Sequence, residues 1–303
     1  MGMTNAGRIV DRHGTTPSGA AAGARASGGL AGCLVGLAAG LLVNTILGPL
    51  VLDAIDYPIS QTIENQLIGL ELVSVFVVAP LCAAAAVLAG RGHPAGAPLA
   101  IGPAAYTAYM FAQYVVGPDY DTYTPAVLLH LALFVLGLVI AVWAWARSAQ
   151  EDLVVAERHR RVYGLALTGL AAFVLSRYAG ALLGAASGSA IPAEFAAEPT
   201  FYWSIFLLDL GVVLPGTVAA AVAVWRGARL GAAALYAVVG WFALVPPSVA
   251  SMGAVMLARD DPYAAPGQVV VLSAVAIAFT TFAVVVFLPL FARGGRRGRR
   301  RND

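Results

Sequence analysis

The sequence contains no lysine, only two cysteines and only four histidines. Without lysine there is no Gly-Lys-Ser/Thr phosphate-binding loop, which argues against an ATP-driven pump built on this chain alone. Cys33 and Cys82 stand apart in separate apolar runs, so neither a redox pair nor a cysteine-based metal site is indicated. All 18 basic residues are arginine, a bias typical of GC-rich coding that points to no particular chemistry.

Charge of either sign is scarce, since charged residues make up 11% of the chain and hydrophobic residues 60%. Soluble domains carry about 25% charged residues, so a soluble fold would have too little polar surface. The composition therefore predicts an all-α integral membrane protein, an eight-helix transmembrane bundle. At about 20 apolar residues per span, eight runs qualify: Gly28 to Leu52, Leu67 to Gly90, Leu99 to Gly117, Ala126 to Ala146, Tyr163 to Gly184, Phe201 to Trp225, Ala232 to Ala258 and Val269 to Ala292.

The loops between these runs alternate in charge. Arginines precede the first run and follow runs two, four, six and eight, whereas acidic residues gather in the opposite loops. Positively charged loops stay on the cytoplasmic side of a membrane. Both termini are therefore predicted to be cytoplasmic, in a plasma (inner) membrane whose lipid bilayer is the first expected partner.

The chain shows signs of an internal duplication. An offset of 133 residues superposes Gly36 to Ala39 on Gly169 to Ala172, and an offset of 135 superposes Arg91-Gly92 on Arg226-Gly227. The pattern predicts two parallel four-helix repeats. Small residues recur every four positions in the first helix of each repeat, which favours packing inside the bundle, with a homodimer contact as the alternative.

The predicted division of the chain has five parts: a disordered cytoplasmic extension at 1-27, a first repeat at 28-148, a cytoplasmic linker at 149-162, a second repeat at 163-292 and a basic cytoplasmic tail at 293-303. The extension is rich in Gly, Ala, Ser and Thr, a composition that disfavours a packed core. The arginine cluster of the tail is expected to anchor topology and to bind anionic lipid. No folded basic domain accompanies it, which argues against nucleic-acid binding.

Ionisable residues inside apolar runs are the strongest functional signals in the sequence. Arg177 lies within the run from Tyr163 to Gly184, and Glu71 and Asp209 lie in other runs. A charge at membrane depth costs at least a few kcal/mol and normally faces a partner or a wet cavity, so the two acids are the expected partners of Arg177. A static bridge between the two halves is one interpretation, and breaking it would cost about 3 to 5 kcal/mol. A solute or proton site is the other.

The polar residues of the membrane runs cluster towards the outer side. At a rise of 1.5 Å per residue, the positions of these residues in their helices place them nearer the outer boundary of the membrane. This clustering predicts an outward-facing polar pocket. The substrate- or ion-binding candidates are Glu71, Gln113, His130, Arg177 and Asp209. His130 is the only histidine in a run, so haem held by paired histidines is not expected; no cofactor, metal ligand or catalytic residue is assigned.

The seventh run is interrupted by Pro246 and Pro247. Two adjacent prolines remove two backbone donors, so the helix is predicted to break there and to free the carbonyls near Phe242 and Ala243. Ser248 is placed to satisfy one of them. Transporters often build binding sites from such broken helices, which makes the break a candidate gate.

The preferred interpretation is a small-solute or proton-coupled transporter or binding protein, with an unidentified solute. One alternative is a lipid-modifying enzyme of the outer leaflet that acts through His130, Glu71 and the loop acids Asp119 and Asp121. Another is a non-catalytic accessory or structural subunit, which needs only packing faces and a static bridge. The sequence carries no recognisable enzyme motif, which favours a protein that is not an enzyme, although a helical bundle by itself carries no function.

Overall fold

The computed structural model describes residues 17–151 and 153–299, with side chains for 27–151 and 153–292. These residues form helices and contain no strand. The eleven α-helices of the described ranges are α1 Pro17–Leu47, α2 Gln61–Val73, α3 Ala79–Gly90, α4 Gly96–Val116, α5 Pro125–Gln150, α6 Glu157–Ser187, α7 Pro199–Leu208, α8 Leu214–Trp225, α9 Gly231–Phe242, α10 Val245–Ala258 and α11 Pro266–Arg299. Shorter turns are π-helical at Ser74–Val78 and Asp209–Val213 and 3₁₀ at Ala193–Phe195.

Seven helical stretches of the described chain are long and apolar enough to cross a membrane: Ser27–Leu47, Gln61–Gly90, Pro125–Gln150, Glu157–Ser187, Pro199–Trp225, Gly231–Ala258 and Pro266–Ala292. The all-helical, multi-pass class predicted from composition is therefore confirmed. Two of these stretches continue through a π-helical turn, and one contains a short break between α9 and α10.

The third of the eight expected runs, Leu99 to Gly117, corresponds to α4, which is not among the seven stretches. Its 21 residues are long enough, at about 1.5 Å each, to cross a bilayer, but Pro103, Gln113 and several tyrosines lower its mean hydropathy. Most of its side chains are buried by other helices, so it needs no lipid-facing surface. It begins against Ala89 of α3 and ends where the ring of Tyr114 meets His130 of α5. Counting α4 as a span stays a prediction.

The bounds differ from the sequence expectation near both ends. Helix α1 begins at Pro17, within the stretch expected to be disordered, and ends at Leu47 rather than at Leu52. Helix α11 continues to Arg299, into the expected basic tail. Residues 1–16 and 300–303 lie outside the described residues.

Two membrane helices contain a π-helical turn directly before a proline. Ser74–Val78 precedes Pro80, and Asp209–Val213 precedes Pro215. Proline has no N–H to donate to the carbonyl four residues earlier, and its ring clashes with that carbonyl. The wider turn instead lets the carbonyl of its first residue accept a bond from the N–H five residues later. Each of these two prolines is thus accompanied by a π-helical turn rather than by a break of the helix.

The same geometry recurs at a constant offset along the chain. The turn Ser74–Val78 becomes Asp209–Val213 when 135 is added to its numbers. Gly92, with a φ of 66°, likewise becomes Gly227, with a φ of 60°. Both glycines follow a helix in a left-handed conformation that disfavours other residues.

An offset of 133 relates α1 to α6 in the same way. A Cβ on Gly90 would lie 3.7 Å from the Cβ of Ala31, and a Cβ on Gly164 would lie 2.7 Å from the ring of Trp225. Residue 31 plus 133 is 164, and residue 90 plus 135 is 225, so the two contacts join equivalent positions. These correspondences are what a duplicated chain would give, and the duplication itself stays a prediction.

The two halves nevertheless pack differently. In the first, Gly40 of α1 lies against Leu133 of α5. In the second, α6 meets α11 through the rings of Phe173 and Phe279, whose centroids are 5.9 Å apart. A Cβ on Gly180, further along α6, would have no atom within 4 Å. The surroundings of Gly180 are therefore open, although Phe173 earlier in the same half of α6 packs on α11.

Polar contacts bring four loops to one end of the bundle. This acidic end comprises loops 48–60, 117–124, 188–198 and 259–265, which hold most of the acidic residues outside the helices. Ser60 Oγ donates to Glu198 Oε2 at 3.0 Å, and Asn65 Nδ2 donates to Asp261 Oδ2 at 2.8 Å. The alternation of charge between the loops predicts that this end faces outwards.

Close contact between α2 and α10 yields a first prediction. A Cβ on Gly69 would collide with the backbone of Met252. We expect Gly69→Ala to lower the free energy of unfolding by about 1 to 3 kcal/mol, as overpacking does, despite the better helix propensity of alanine. Unfolding in detergent monitored by circular dichroism measures the change.

Gly169→Ala is the matched control, because a Cβ on Gly169 would have no atom within 4 Å. It should leave stability unchanged or raise it by up to about 1 kcal/mol. Equal stability of the two variants would contradict the close contact.

Candidate functional site

A large cavity of about 1200 Å³ lies between α2 and α4 on one side and α6, α7, α10 and α11 on the other. Its mouth is at the acidic end, where Ser189, Glu194 and Tyr263 line it. It extends along α6 to Val174, 13 residues from the end of that helix and thus about 20 Å deep. The outward-facing pocket expected from the sequence therefore has a counterpart in a cavity at this end.

Asp209 lies in this cavity and is held by two tyrosines from different helices. Its Oδ1 accepts a hydrogen bond from the hydroxyl of Tyr109 in α4 at 2.7 Å. Its Oδ2 accepts one from the hydroxyl of Tyr178 in α6 at 2.5 Å. Trp241 packs edge-on against Tyr109, with the ring centroids 5.5 Å apart. The carboxylate thus joins the first half of the bundle to the second.

Arg177 also lines the cavity, but it does not form the expected ion pair. Its side chain is exposed, and neither Glu71 nor Asp209 lies within 4.0 Å of its guanidinium; the one ion pair of the described residues is at the surface. Asp209 is near enough for electrostatic attraction. The sequence predicts depth but not helix rotation, and here Arg177 faces the cavity while the tyrosines occupy the carboxylate. The expected buried bridge is therefore wrong.

Glu71 is buried in a different place, between α1, α2 and the loop after α1. Asn44 Nδ2 donates to its Oε1 at 3.3 Å, Gly48 packs against the carboxylate, and Oε2 accepts no hydrogen bond from a described residue. Because α2 begins at Gln61, Glu71 lies ten residues, about 15 Å, from the helix start rather than one turn. The structure does not bring Glu71 to Arg177.

His130 is likewise separated from the cavity, whereas Gln113 lines it. The His130 side chain is fully buried, with Nε2 3.2 Å from the hydroxyl of Tyr57. Rings of Phe111 and Tyr114 enclose it, with centroids 5.6 and 5.2 Å away. Of the five residues expected to bind a solute or ion, the cavity therefore contains Gln113, Arg177 and Asp209.

The predicted break at Pro246 and Pro247 is present and lines the cavity. Helix α9 ends at Phe242 and α10 begins at Val245. The Leu244 carbonyl accepts hydrogen bonds from the backbone N–H of Ser248 at 3.1 Å and from its hydroxyl at 2.9 Å. The Ser248 hydroxyl also lies 2.7 Å from that of Tyr106. Ser248 thus bonds the last backbone carbonyl before α10 and joins it to Tyr106 of α4.

Sequence reasoning missed the tyrosines that hold Asp209. Tyr109 lies four residues before Gln113, and hence on the same helix face, while Tyr178 directly follows Arg177. These spacings were the available signals. Only the packing of α4 against α7 shows that both hydroxyls reach one carboxylate.

The loop acids Asp119 and Asp121 are exposed. Among the described residues, no group of three or more His, Cys, Asp or Glu side chains is placed to hold a metal ion. His130 and Glu71, the other residues of the enzyme alternative, are enclosed as described above. The structure therefore does not assemble these four residues around one accessible space.

Glu194 lies at the mouth of the cavity in the 3₁₀ turn before α7. Partial burial, and to a smaller extent the negative charge of Asp261, raise the pKa of Glu194 above its ordinary value of 4.5. Asp261 is itself fixed by Asn65 and by the backbone N–H of Tyr263. Two carboxylates thus meet where the loops close over the cavity.

Comparison of the chain with protein-family models, with curated proteins and with solved structures gives no match. The fold and the apolar helices define the class: this is a multi-pass helical membrane protein.

The contacts of Asp209 yield a second prediction. Tyr178→Phe removes one donor to the carboxylate and should lower the free energy of unfolding by about 1.5 to 3 kcal/mol, the range for hydrogen bonds to charged groups. Tyr202→Phe is the matched control, since Tyr202 lines the same cavity without bonding Asp209. Unfolding in detergent compares the two, and a similar loss in both variants would contradict a specific bond.

The raised pKa of Glu194 yields a third prediction. A carboxyl whose pKa is higher in the folded protein stabilises it below the unfolded pKa, and that stabilisation is lost as pH rises through the folded pKa. Glu194→Gln should therefore melt at a higher temperature than the parent above the raised pKa and approach it near pH 4. Melting temperatures between pH 4 and pH 7 give the comparison.

Asp119→Asn is the control for this series, because Asp119 is an exposed acid of another loop at the same end. A melting temperature of Glu194→Gln that follows the parent at every pH would refute the raised pKa.

Proposed function

We propose that the protein is a carrier or binding protein for a small solute, which enters the cavity from the acidic end and binds beside Arg177 and Asp209. The observation that supports it most directly is an arginine with no ion pair, at membrane depth, facing a cavity of about 1200 Å³. An unpaired charge at this depth is costly unless water or a ligand solvates it. A structural bridge would have closed the pair instead.

In this proposal the cavity residues have separate tasks. Arg177 binds a negatively charged group of the solute, since its planar fork of donors has no partner among the described residues. Asp209 compensates that cation electrostatically or carries a proton, and Tyr109 and Tyr178 hold its carboxylate in one orientation. Gln113 adds a polar group to the same space.

Two features of the fold would provide mobility. The break between α9 and α10 lines the cavity, and a short broken segment can absorb a change of helix direction. Gly180 of α6 has open surroundings, since a Cβ there would have no atom within 4 Å. Movement of these parts would open and close access to Arg177.

The proposal includes the finer architecture expected from the sequence. Eight spans, with α4 as the third, put both termini on the same side, and the positive loops would make that side cytoplasmic. The acidic end, and with it the mouth of the cavity, then faces outwards across the plasma membrane. The two parallel repeats place the site between the halves, where repeat-built transporters carry theirs.

Access of water to the cavity is the fourth prediction. In a Cys33→Ala/Cys82→Ala background, single cysteines at Ala181 and Val249 should react with a membrane-impermeant maleimide added at the acidic end. Both positions line the cavity, and a thiol reacts through its thiolate, which forms readily only in contact with water. Mass spectrometry of the intact protein in liposomes measures the labelling.

Two control positions separate a wet cavity from lipid exposure. Ile140 is buried inside the bundle, and Val135 lies on the exposed flank of α5 that a bilayer would cover. Neither should react. Protection of Ala181→Cys and Val249→Cys to the same degree as these controls would refute the carrier proposal and favour a structural subunit.

A further inference from the structure

We infer that the ligand of this cavity is an anionic amphiphile, whose charged group binds Arg177 and whose apolar part lies among the aromatic side chains. The inference rests on the proposed function and adds to it the chemical class of the ligand. It depends on the size and lining of the cavity, on its charge, and on its exposure at the flank of the bundle.

The cavity is larger and more aromatic than a site for a hydrated ion needs to be. Its volume of about 1200 Å³ exceeds the roughly 300 to 1000 Å³ of pockets for drug-sized molecules. Ten aromatic residues line it, among them Tyr109, Tyr178, Phe201 and Trp241. Methionine and aliphatic side chains of α10 complete the wall. A ligand that fills this space must bury apolar surface.

The charged residues that line the cavity favour a negatively charged group on the ligand. Arg177 is the only basic residue among the described residues that line the cavity. Both oxygens of Asp209 are already bonded by tyrosine hydroxyls, and the carboxylate is beyond ion-pair distance of the guanidinium. The N–H donors of Arg177 are therefore free to bind an acceptor group of the ligand. A carboxylate or phosphate matches the guanidinium fork with two parallel hydrogen bonds.

The cavity reaches the flank of the bundle as well as its end. Leu183 of α6 is 72% exposed and Trp203 of α7 is 46% exposed, although both line the cavity. In a membrane this flank faces the acyl chains, since both residues lie within helices long enough to span. An amphiphile can therefore bring its apolar part in from the bilayer side while its charged group moves towards Arg177.

The corresponding position in the first half is closed and carries no cation. Asn44 corresponds to Arg177 by the offset of 133, and it bonds Glu71. Gly48 of the following loop packs against that carboxylate. In the first half, the loop after α1 therefore occupies the space beside the acid. In the second half, the corresponding space belongs to the cavity. A ligand is expected only at Arg177.

Two sources supply such a ligand, and they share the same chemistry. One is an anionic phospholipid of the surrounding leaflet, and the other is a fatty acid that arrives through water. Both combine a negative oxygen group with an apolar chain. The experiment needs one probe for each source and a neutral lipid as the reference.

Quenching of Trp241 tests the inference, because this residue lies deep in the cavity and is 9% exposed. The full-length protein carries the substitutions Trp143→Phe, Trp145→Phe, Trp203→Phe and Trp225→Phe, in lipid nanodiscs of neutral phosphatidylcholine. Dibromostearate added from water is the fatty-acid probe, and brominated phosphatidylglycerol in the disc is the lipid probe. Brominated phosphatidylcholine is the neutral reference.

We expect at least one anionic probe to quench Trp241 saturably and more strongly than the neutral lipid. Quenching by dibromostearate indicates a water-borne ligand, and quenching by brominated phosphatidylglycerol indicates a membrane lipid; either supports the inference. Arg177→Gln should raise the half-saturating concentration about ten-fold or more, because hydrogen bonds to a charged group are lost. Arg177→Lys should recover part of the affinity. Arg226→Gln, an exposed arginine at the opposite end, should change nothing.

Equal quenching by neutral and anionic probes, absence of quenching, or an unchanged half-saturating concentration in Arg177→Gln would overturn the inference. Should Arg177→Gln fail to fold, the preference for anionic over neutral probes in the parent protein decides the matter. The cysteine experiment distinguishes a wrong ligand class from a wrong proposed function. Reactive cavity cysteines without anionic quenching leave a carrier of another ligand, whereas protected cysteines refute the carrier itself.

Discussion

Every polar group at membrane depth must find its partner inside the protein, and this constraint accounts for the unusual features of the fold. Prolines at 80 and 215 each withdraw a backbone donor, and each is preceded by a π-helical turn in which the carbonyl of Ser74 or Asp209 accepts a bond from the N–H five residues later. At the break before Pro246, Ser248 bonds the Leu244 carbonyl and meets Tyr106. At these three places the helix departs from regular α geometry, and the backbone carbonyls named here find their donors within the protein.

Arg177 differs from these carbonyls, because its guanidinium has no ion-pair partner among the described residues. Asp209, the nearby acid, is bonded to Tyr109 and Tyr178, so the arginine is left with its donors facing the cavity. Tyrosine hydroxyls satisfy a carboxylate without neutralising its charge, which keeps the electrostatic attraction to Arg177 while leaving the guanidinium free. A buried ion pair would have been a poor site, because a ligand would first have to break it. The arrangement seen is suited to binding.

Composition and apolar runs were enough to predict the helical membrane fold, and the double proline was enough to predict the broken helix. The partners of Arg177, Glu71 and Asp209 could not be predicted in the same way. A sequence shows how deep a residue lies in its helix, but which neighbour it meets depends on helix rotation and on loops. The loop after α1 folds over Glu71 through Gly48, and no pattern in the sequence indicates that fold. Tyr178 reaches Asp209 only because α6 approaches α7 at that level.

The two halves of the bundle differ in the surroundings of their polar residues at membrane depth. Asn44 bonds Glu71 in a sealed position of the first half, whereas Arg177 and Asp209, which lie near each other without an ion pair, line a cavity in the second half. If both pairs served only to hold helices together, both would be expected to close, because an open charged pair costs stability. The second half keeps the costly arrangement, an arginine without an ion pair beside an open cavity. Such a cost is typical of a site whose partner comes from outside the chain.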